Sequence, residues 1–161
     1  MRFWPLFVLS LLPLQSRADS GSFRYGLGFG APDQNSPGEV KIFTFAYERS
    51  LKSPWVAQAE AGVIADMRQD RGRKSTLISS LSFGPRMELG HFQTRFLWGP
   101  ALISHPDSAL GSHFQFNHDL LVGLQSLTSA LTFGYKHVSN AGIKLPNRGR
   151  DFFTLRAEIY F

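Results

Sequence analysis

Bulky apolar residues alternate with small, polar or charged residues along most of the chain, and a period of two is the spacing of a β-strand. In residues 23–30, two phenylalanines, a tyrosine and a leucine alternate with an arginine and three glycines. The same alternation predicts strands at 39–48, 55–65, 75–87, 92–98, 114–124, 127–139 and 151–161. One apolar and one polar face per strand favour an all-β fold, an eight-stranded antiparallel transmembrane β-barrel with its apolar face outward.

The predicted inner face has ten charged residues, five of each sign, which can pair inside a narrow lumen. These residues are Arg24, Glu48, Glu60, Arg86, Glu88, Arg95, Asp119, Lys136, Arg156 and Glu158. Such a lumen disfavours a soluble lipid-binding barrel, whose interior would be apolar.

The longer connections are 31–38, 66–74, 104–111 and 140–150, and they alternate with short ones as the external loops of outer-membrane barrels do. Pro85 falls within a predicted strand and predicts a bulge or a local break there, because it cannot donate a ladder hydrogen bond.

The first eighteen residues have the pattern of a secretory signal peptide. Met1 and Arg2 precede an apolar run at 3–14, and small residues follow at Ser16 and Ala18. The predicted domains are a signal peptide at 1–18 and one barrel at 19–161. No later segment is continuously apolar for the roughly eighteen residues of a transmembrane helix, so any membrane span must consist of strands. We expect the protein in the bacterial outer membrane.

The composition and the net charge exclude several kinds of site and partner. The chain has no cysteine, which excludes disulfides, zinc-thiolate sites and cysteine-protease chemistry. Its net charge is +5, and cleavage after Ala18 would remove two arginines and leave +3, too small an excess to indicate a nucleic-acid partner. The predicted loop 66–74 contains a basic cluster, which is either a solvated loop or a set of contacts to lipid phosphates. The cluster comprises Arg68, Arg71, Arg73 and Lys74.

A candidate catalytic trio lies in the predicted hairpin formed by the last two strands. His137 and Ser139 are two residues apart and share the outward face, and Asp151 returns on the paired strand. In a Ser-His-acid mechanism the serine attacks a carbonyl, the histidine moves the proton and the carboxylate orients the imidazole. The nearest oxyanion donors are the backbone N–H groups of Asn140, Ala141 and Gly142 and the side chain of Asn147. The alternative interpretation is a polar strand end that meets the membrane interface.

The segment H-V-S-N-A-G-I-K-L-P-N-R-G, followed by a carboxylate, resembles the lipid A 3-O-deacylases (PagL). The resemblance implies an outer-membrane esterase without a cofactor that removes the 3-hydroxyacyl chain at position 3 of lipid A in the outer leaflet. It places His137 and Ser139 in catalytic positions. Where the family usually has glutamate, this chain has Asp151, one methylene shorter, so the reach of the acid becomes the critical geometry. The alternative is a structural or adhesive barrel in which the motif has decayed. Both a monomer and a homodimer are compatible with the sequence.

The other histidines have weaker interpretations. A register counted across a turn at Ser126–Leu127 predicts that His118 lies opposite Tyr135 and that Phe116 lies opposite His137. His118 is then either a tilted interfacial residue or a border of an acyl groove. The three remaining histidines lack the spacing of a metal site, so we expect no bound metal. They are His91, His105 and His113.

Overall fold

The computed structural model describes residues 23–32, 40–66, 75–107, 109–145 and 147–161. The strands are β1 (Phe23–Pro32), β2 (Val40–Ser50), β3 (Trp55–Asp66), β4 (Thr76–Leu89), β5 (Phe92–Ile103), β6 (Phe114–Gln125), β7 (Ser129–Ser139) and β8 (Arg150–Tyr160). Neighbouring strands are antiparallel, and β1 also pairs with β8, so the sheet closes on itself. The prediction of an eight-stranded antiparallel barrel is confirmed. The predicted signal peptide lies outside the described residues.

Burial alternates along the strands as the sequence pattern predicts. In β2, Phe43 and Phe45 are about half exposed, whereas Ile42, Thr44 and Ala46 between and beside them are buried in the barrel. The outer wall is therefore lined by large apolar side chains, which suits contact with lipid. No helix among the described residues is long and apolar enough to cross a bilayer.

Ion pairs that join distant strands fill the middle of the lumen. Arg95 on β5 binds both Glu48 on β2, at 2.7 Å, and Glu158 on β8. Lys136 on β7 binds Glu60 on β3 at 2.7 Å and Asp119 on β6 at 2.9 Å. Lys136 and Asp119 lie on neighbouring strands, whereas the other three pairs couple strands that do not share backbone hydrogen bonds. Pairing offsets the cost of burying these charges.

Further ion pairs extend the same network. Arg86 binds Glu48 at 2.9 Å and Glu88 at 3.0 Å, and Arg156 binds Glu60 at 2.8 Å. Nine of the ten predicted inner charges are thus paired in the barrel. The tenth, Arg24, has a side chain outside the described part of the chain.

The lumen is not polar throughout, which differs from the prediction. At the end that leads into the long loops it is filled by a buried apolar cluster. The cluster comprises Val40, Ile42, Ile64, Ile78, Ala101, Ile103, Leu110, Val138 and Phe152. Leu110 belongs to the β5–β6 connection and is only 1% exposed, so this connection folds over the mouth of the barrel. A narrow barrel is filled by side chains, and branched apolar residues exclude water from this end.

The strand around Pro85 shows a local break without a bulge. Paired positions on β4 and β5 stop after Phe83–Trp98 and resume at Arg86–Arg95 in an unchanged register, so no residue is inserted. A Cβ on Gly84 would lie 1.8 Å from the carbonyl oxygen of Phe96, which shows how closely the two backbones approach. The gap in pairing beside Pro85 confirms the prediction of a bulge or a local break, and of these two it is a break.

The predicted register of β6 against β7 is also wrong. His118 lies opposite His137 and Phe116 lies opposite Ser139, two residues further along β7 than predicted. The connection is longer than a tight turn and begins at Ser126, whose hydroxyl accepts hydrogen bonds from the backbone N–H groups of Thr128 and Ser129. Ser129 therefore begins β7, and the partners shift accordingly.

Candidate active site

The β7–β8 hairpin brings His137, Ser139 and Asp151 to the long-loop end of the outer wall. His137 and Asp151 are direct cross-strand partners, and Ser139 is the last residue of β7. The side chains of His137 and Asp151 are 33% and 23% exposed. Their sequence neighbours Val138 and Phe152 are buried in the apolar cluster of the lumen. The alternation of the strand thus directs the three reactive side chains away from the lumen.

Asp151, although one methylene shorter than a glutamate, reaches the imidazole of His137. Nδ1 of His137 lies 2.6 Å from Oδ1 of Asp151. Opposed residues in an antiparallel pair are separated by only about 5 Å between Cβ atoms, so an aspartate spans this gap without the additional methylene of glutamate. Because a carboxylate only accepts, Nδ1 carries the hydrogen, and Nε2 is left as the proton acceptor of the ring.

Ser139 has an uncommitted hydroxyl. Its Oγ forms no hydrogen bond with any residue in the described part of the chain, including His137. A serine whose hydroxyl is half buried and free to rotate can turn towards Nε2 when a substrate arrives, and such contacts often tighten only in the complex. The trio therefore has its acid-base contact already formed and its base-nucleophile contact still open.

The loop after Ser139 already uses two of the predicted oxyanion donors. The N–H of Asn140 donates to Oδ1 of Asn147 at 3.0 Å, and the N–H of Gly142 donates to Oδ1 of Asn140 at 3.0 Å. The remaining predicted donors, the N–H of Ala141 and the Nδ2 group of Asn147, have no hydrogen-bond acceptor among the described residues. Ala141 has a φ of 52°, a left-handed conformation that is uncommon for a residue with a side chain.

Gly149 fits against the imidazole. Its φ is +70°, and a Cβ at this position would lie 2.8 Å from Cε1 of His137. Any side chain here would have to displace the ring or the backbone. The glycine of the Pro-Asn-x-Gly segment therefore has a direct steric role, because its backbone forms one wall of the space that holds His137.

Sequence reasoning missed the residues that support this loop from the neighbouring connection. Asp107, Ala109 and Leu110 contact both of its ends. The only local signal is an aspartate that can cap the N–H groups two and three residues further on, as Asp107 does for Ala109 and Leu110. Nothing in that signal indicates which segment the resulting turn will contact.

His118 lies closer to the trio than predicted. Its ring faces that of His137, with 6.1 Å between centroids and an angle of 40° between planes. On its other side His118 is paired with Trp98 of β5. His118 is therefore the outer-wall neighbour of the candidate base, whereas its interpretation as a border of an acyl groove stays a prediction.

The remaining predicted sites have different outcomes. The basic cluster of Arg68, Arg71, Arg73 and Lys74 lies outside the described residues, so its contact with phosphates stays a prediction. Within the described ranges, no group of three or more histidine, cysteine, aspartate or glutamate residues is placed to hold a metal ion.

Comparisons with known proteins show the family and the fold of this chain. The family model described as lipid A 3-O-deacylase (PagL) matches residues 14–160. A crystal structure of the outer membrane enzyme PagL is similar, with 17% identity and a TM-score of 0.64 over 84% of this chain and 98% of that one. No curated protein matches in a sequence search.

Two other barrels show that the fold alone is widely shared. A de novo designed transmembrane β-barrel is 8% identical, with a TM-score of 0.65 over 89% of this chain and 98% of the design. The Yersinia pestis outer membrane protein Ail in a phospholipid bilayer nanodisc is 11% identical, with a TM-score of 0.58 over 88% of this chain and 99% of Ail. These likenesses concern the barrel, whereas the family match covers nearly the whole sequence, including the trio. The chain therefore belongs to the lipid A 3-O-deacylase (PagL) family and is a β-barrel of the bacterial outer membrane.

Proposed function

We propose that this protein hydrolyses the ester that links a 3-hydroxyacyl chain to position 3 of lipid A, with Ser139 as the nucleophile. The observation that supports the proposal best is the 2.6 Å contact between Nδ1 of His137 and Oδ1 of Asp151 on the outer wall. An acid too distant to contact Nδ1 would leave the imidazole free to adopt the wrong tautomer. Here the acid orients a ring that lies on the outer wall, the side of the barrel where glycolipid esters lie.

The reaction proceeds in two halves. Oγ of Ser139 attacks the ester carbonyl while its proton passes to Nε2 of His137, and a tetrahedral oxyanion forms. When that intermediate collapses, the C–O bond to the sugar breaks and the protonated imidazole gives its proton to the departing sugar oxygen. A water molecule then loses a proton to His137 and attacks the acyl-serine. The C–Oγ bond breaks, the imidazolium returns its proton to Oγ of Ser139, and the free hydroxy acid leaves.

The free donors in the loop suit the oxyanion. The N–H of Ala141 and the Nδ2 group of Asn147 remain available after the internal hydrogen bonds of the loop are formed. Fixed donors that are aimed at developing charge stabilise it without reorganisation at the moment of reaction. We assign Asn140 and Gly142 to the support of the loop, since their N–H groups are already engaged.

Substrate reaches the trio from the side. Below His137 the same outer face presents Tyr135 and Phe133, and the ring of Phe153 on β8 contacts both; all three side chains are exposed. An acyl chain that remains among the lipids can lie along these rings while its ester approaches Ser139. The bilayer itself then orients the substrate, and no extraction into a pocket is required.

The test is the lipid profile of a host with fully acylated lipid A that expresses the protein. Mass spectrometry should detect a lipid A species lighter by one 3-hydroxyacyl group, and the Ser139→Ala variant should not produce it. Ser129→Ala, at the opposite end of the same strand, is the matched control and should remain active. An unchanged profile from folded wild-type protein would contradict the proposal and favour a structural or adhesive barrel.

A further inference from the structure

The β5–β6 connection includes a compact turn held by Asp107. Oδ1 of Asp107 accepts hydrogen bonds from the N–H groups of Ala109, at 2.7 Å, and Leu110, at 2.9 Å. The other carboxylate oxygen, Oδ2, binds the guanidinium of Arg150, with Nε at 3.1 Å. One carboxylate therefore fixes its own turn and, at the same time, the first residue of β8.

Two carbonyl groups of this turn accept hydrogen bonds from the two ends of the loop that joins β7 to β8, residues 140–149. The carbonyl of Leu110 accepts a hydrogen bond from Nδ2 of Asn140 at 3.1 Å, and Asn140 follows Ser139 directly. The carbonyl of Ala109 accepts hydrogen bonds from the backbone N–H groups of Arg148, at 3.0 Å, and Gly149, at 3.3 Å. Both strand ends that hold the trio are thus bonded to one short turn.

These contacts lead directly to the reactive groups. Gly149 packs against Cε1 of His137, so a shift of this glycine moves the ring or opens the space beside it. Arg150 precedes Asp151, the partner of Nδ1. The turn itself cannot drift easily, because Leu110 is buried in the apolar cluster together with Val138 and Phe152, the lumen-facing residues of the same hairpin.

We propose that the turn formed by Asp107, Ala109 and Leu110 is a brace, and that Asp107 and Arg150 are positioning residues that keep His137, Ser139 and Asp151 in register for the reaction. The inference rests on the proposed esterase function. The brace acts from inside the barrel mouth on groups that face outward. Its members touch neither the substrate nor the reacting atoms, so it should affect turnover far more than substrate binding.

The decisive variant is Asp107→Asn. The amide oxygen can still cap Ala109 and Leu110, so the hydrogen bonds within the turn are retained, whereas the charge that ties the turn to Arg150 is lost. A displacement of about 1 Å at a reacting group can lower turnover by as much as ~100-fold. We expect kcat to fall roughly 10- to 100-fold with little change in KM and in the temperature of heat-modifiable gel migration. Asp107→Glu, which restores the charge, should recover part of kcat.

A matched control lies at the opposite end of the barrel. Glu88 binds Arg86 at 3.0 Å, so Glu88→Gln makes the same chemical change to an ion pair far from the trio. This variant should keep the kcat of the wild type. Equal losses in the two variants would show a general effect of barrel stability and would overturn the brace, as would an Asp107→Asn protein with undiminished kcat.

A second measurement does not depend on lipid A cleavage or on the folding of a variant. In the wild-type protein in lipid nanodiscs, amide hydrogen exchange at Gly149 and Arg148 should be slow, because both N–H groups are bonded to Ala109. Fast exchange at these two amides would overturn the brace. Protected amides in a protein that leaves lipid A intact would instead contradict the proposed function and leave the brace as a structural support.

Discussion

The inside and the outside of this barrel use polar residues in opposite ways on the same strands. Lys136 points inward and is bound by two carboxylates, whereas its neighbour His137 points outward and retains a free Nε2. Arg150 is buried and paired with Asp107, and its neighbour Asp151 is partly exposed on the wall. These inner charges are paired with charges of the opposite sign, and the outer groups retain free hydrogen-bonding and proton-accepting capacity.

The difference shows how a small barrel separates stability from chemistry. Several ion pairs in the lumen, such as Arg95–Glu48 and Lys136–Glu60, connect strands that are not adjacent, so their removal should affect folding. The groups on the wall add little to the closure of the barrel, so their removal should affect the reaction. A period of two places both sets on one strand with no interference between them.

Among the changes that test this separation of stability from chemistry, removal of the acid of the trio should have the largest effect. Asp151→Ala should lower kcat by roughly 10³- to 10⁴-fold, because the imidazole loses the partner that fixes its tautomer. Asp151→Glu should keep activity near that of the wild type, since Asp151 already contacts Nδ1 and a longer acid has no gap to fill. Deacylation rates with purified protein and lipid A in mixed micelles provide the measurement. A fully active Asp151→Ala protein would remove the acid from the mechanism.

A lumen charge should give the converse result. Arg95→Met leaves Glu48 and Glu158 without the cation that lies between them, and breaking a buried pair typically costs about 3–5 kcal/mol. We expect a lower urea midpoint for unfolding from lipid vesicles, together with a kcat per folded molecule close to that of the wild type. A normal urea midpoint with a large loss of kcat would show that the lumen takes part in the reaction. It would contradict the separation of stability from chemistry.

The smallest effect is a pH dependence at the barrel mouth. Burial raises the pKa of the Asp107 carboxyl, but the hydrogen bonds and charge of Arg150, with the N–H groups of Ala109 and Leu110, outweigh burial and hold that pKa below its usual value. A carboxyl with a lowered pKa stabilises the folded state above its unfolded pKa of about 3.9, and this contribution is lost as the pH falls through the folded value.

Protease susceptibility of the β5–β6 connection provides the measurement. Cleavage there by an acid-tolerant protease should remain slow from neutral pH down to about 5 and accelerate only below about 4. The protease should cleave the Asp107→Asn variant faster than the wild type at neutral pH, and this cleavage should lose most of its pH dependence. An unchanged profile in the variant would show that the carboxylate does not hold the turn.

Local pattern predicted most of the fold. Alternation identified the eight strands, the outward face of His137 and Ser139, and the inner position of residues such as Lys136 and Arg95. Such features depend on the period of one strand and the sign of its inner charges, which are readable without knowledge of the partner strand. The two-residue error between His118 and His137 arose where the length of one connection, and not the period, determines the register.

The support of the site could not be predicted because it depends on contacts between distant segments. Leu110 lies in an unremarkable loop sequence, and only closure of the barrel places it beside Val138 and Phe152. The oxyanion donors show the same limit. Asn140, Ala141 and Gly142 are equivalent candidates in the sequence, and only the folded loop shows that Ala141 retains a free N–H.

The outward face of the reactive hairpin has a kinetic consequence. A centre that meets its substrate within the leaflet samples a two-dimensional fluid, so its rate should follow the mole fraction of lipid A in the surface and not the bulk concentration. Dilution of mixed micelles with inert detergent would then slow the protein even at constant total substrate, and crowding of the outer leaflet with glycolipid would bring it close to saturation.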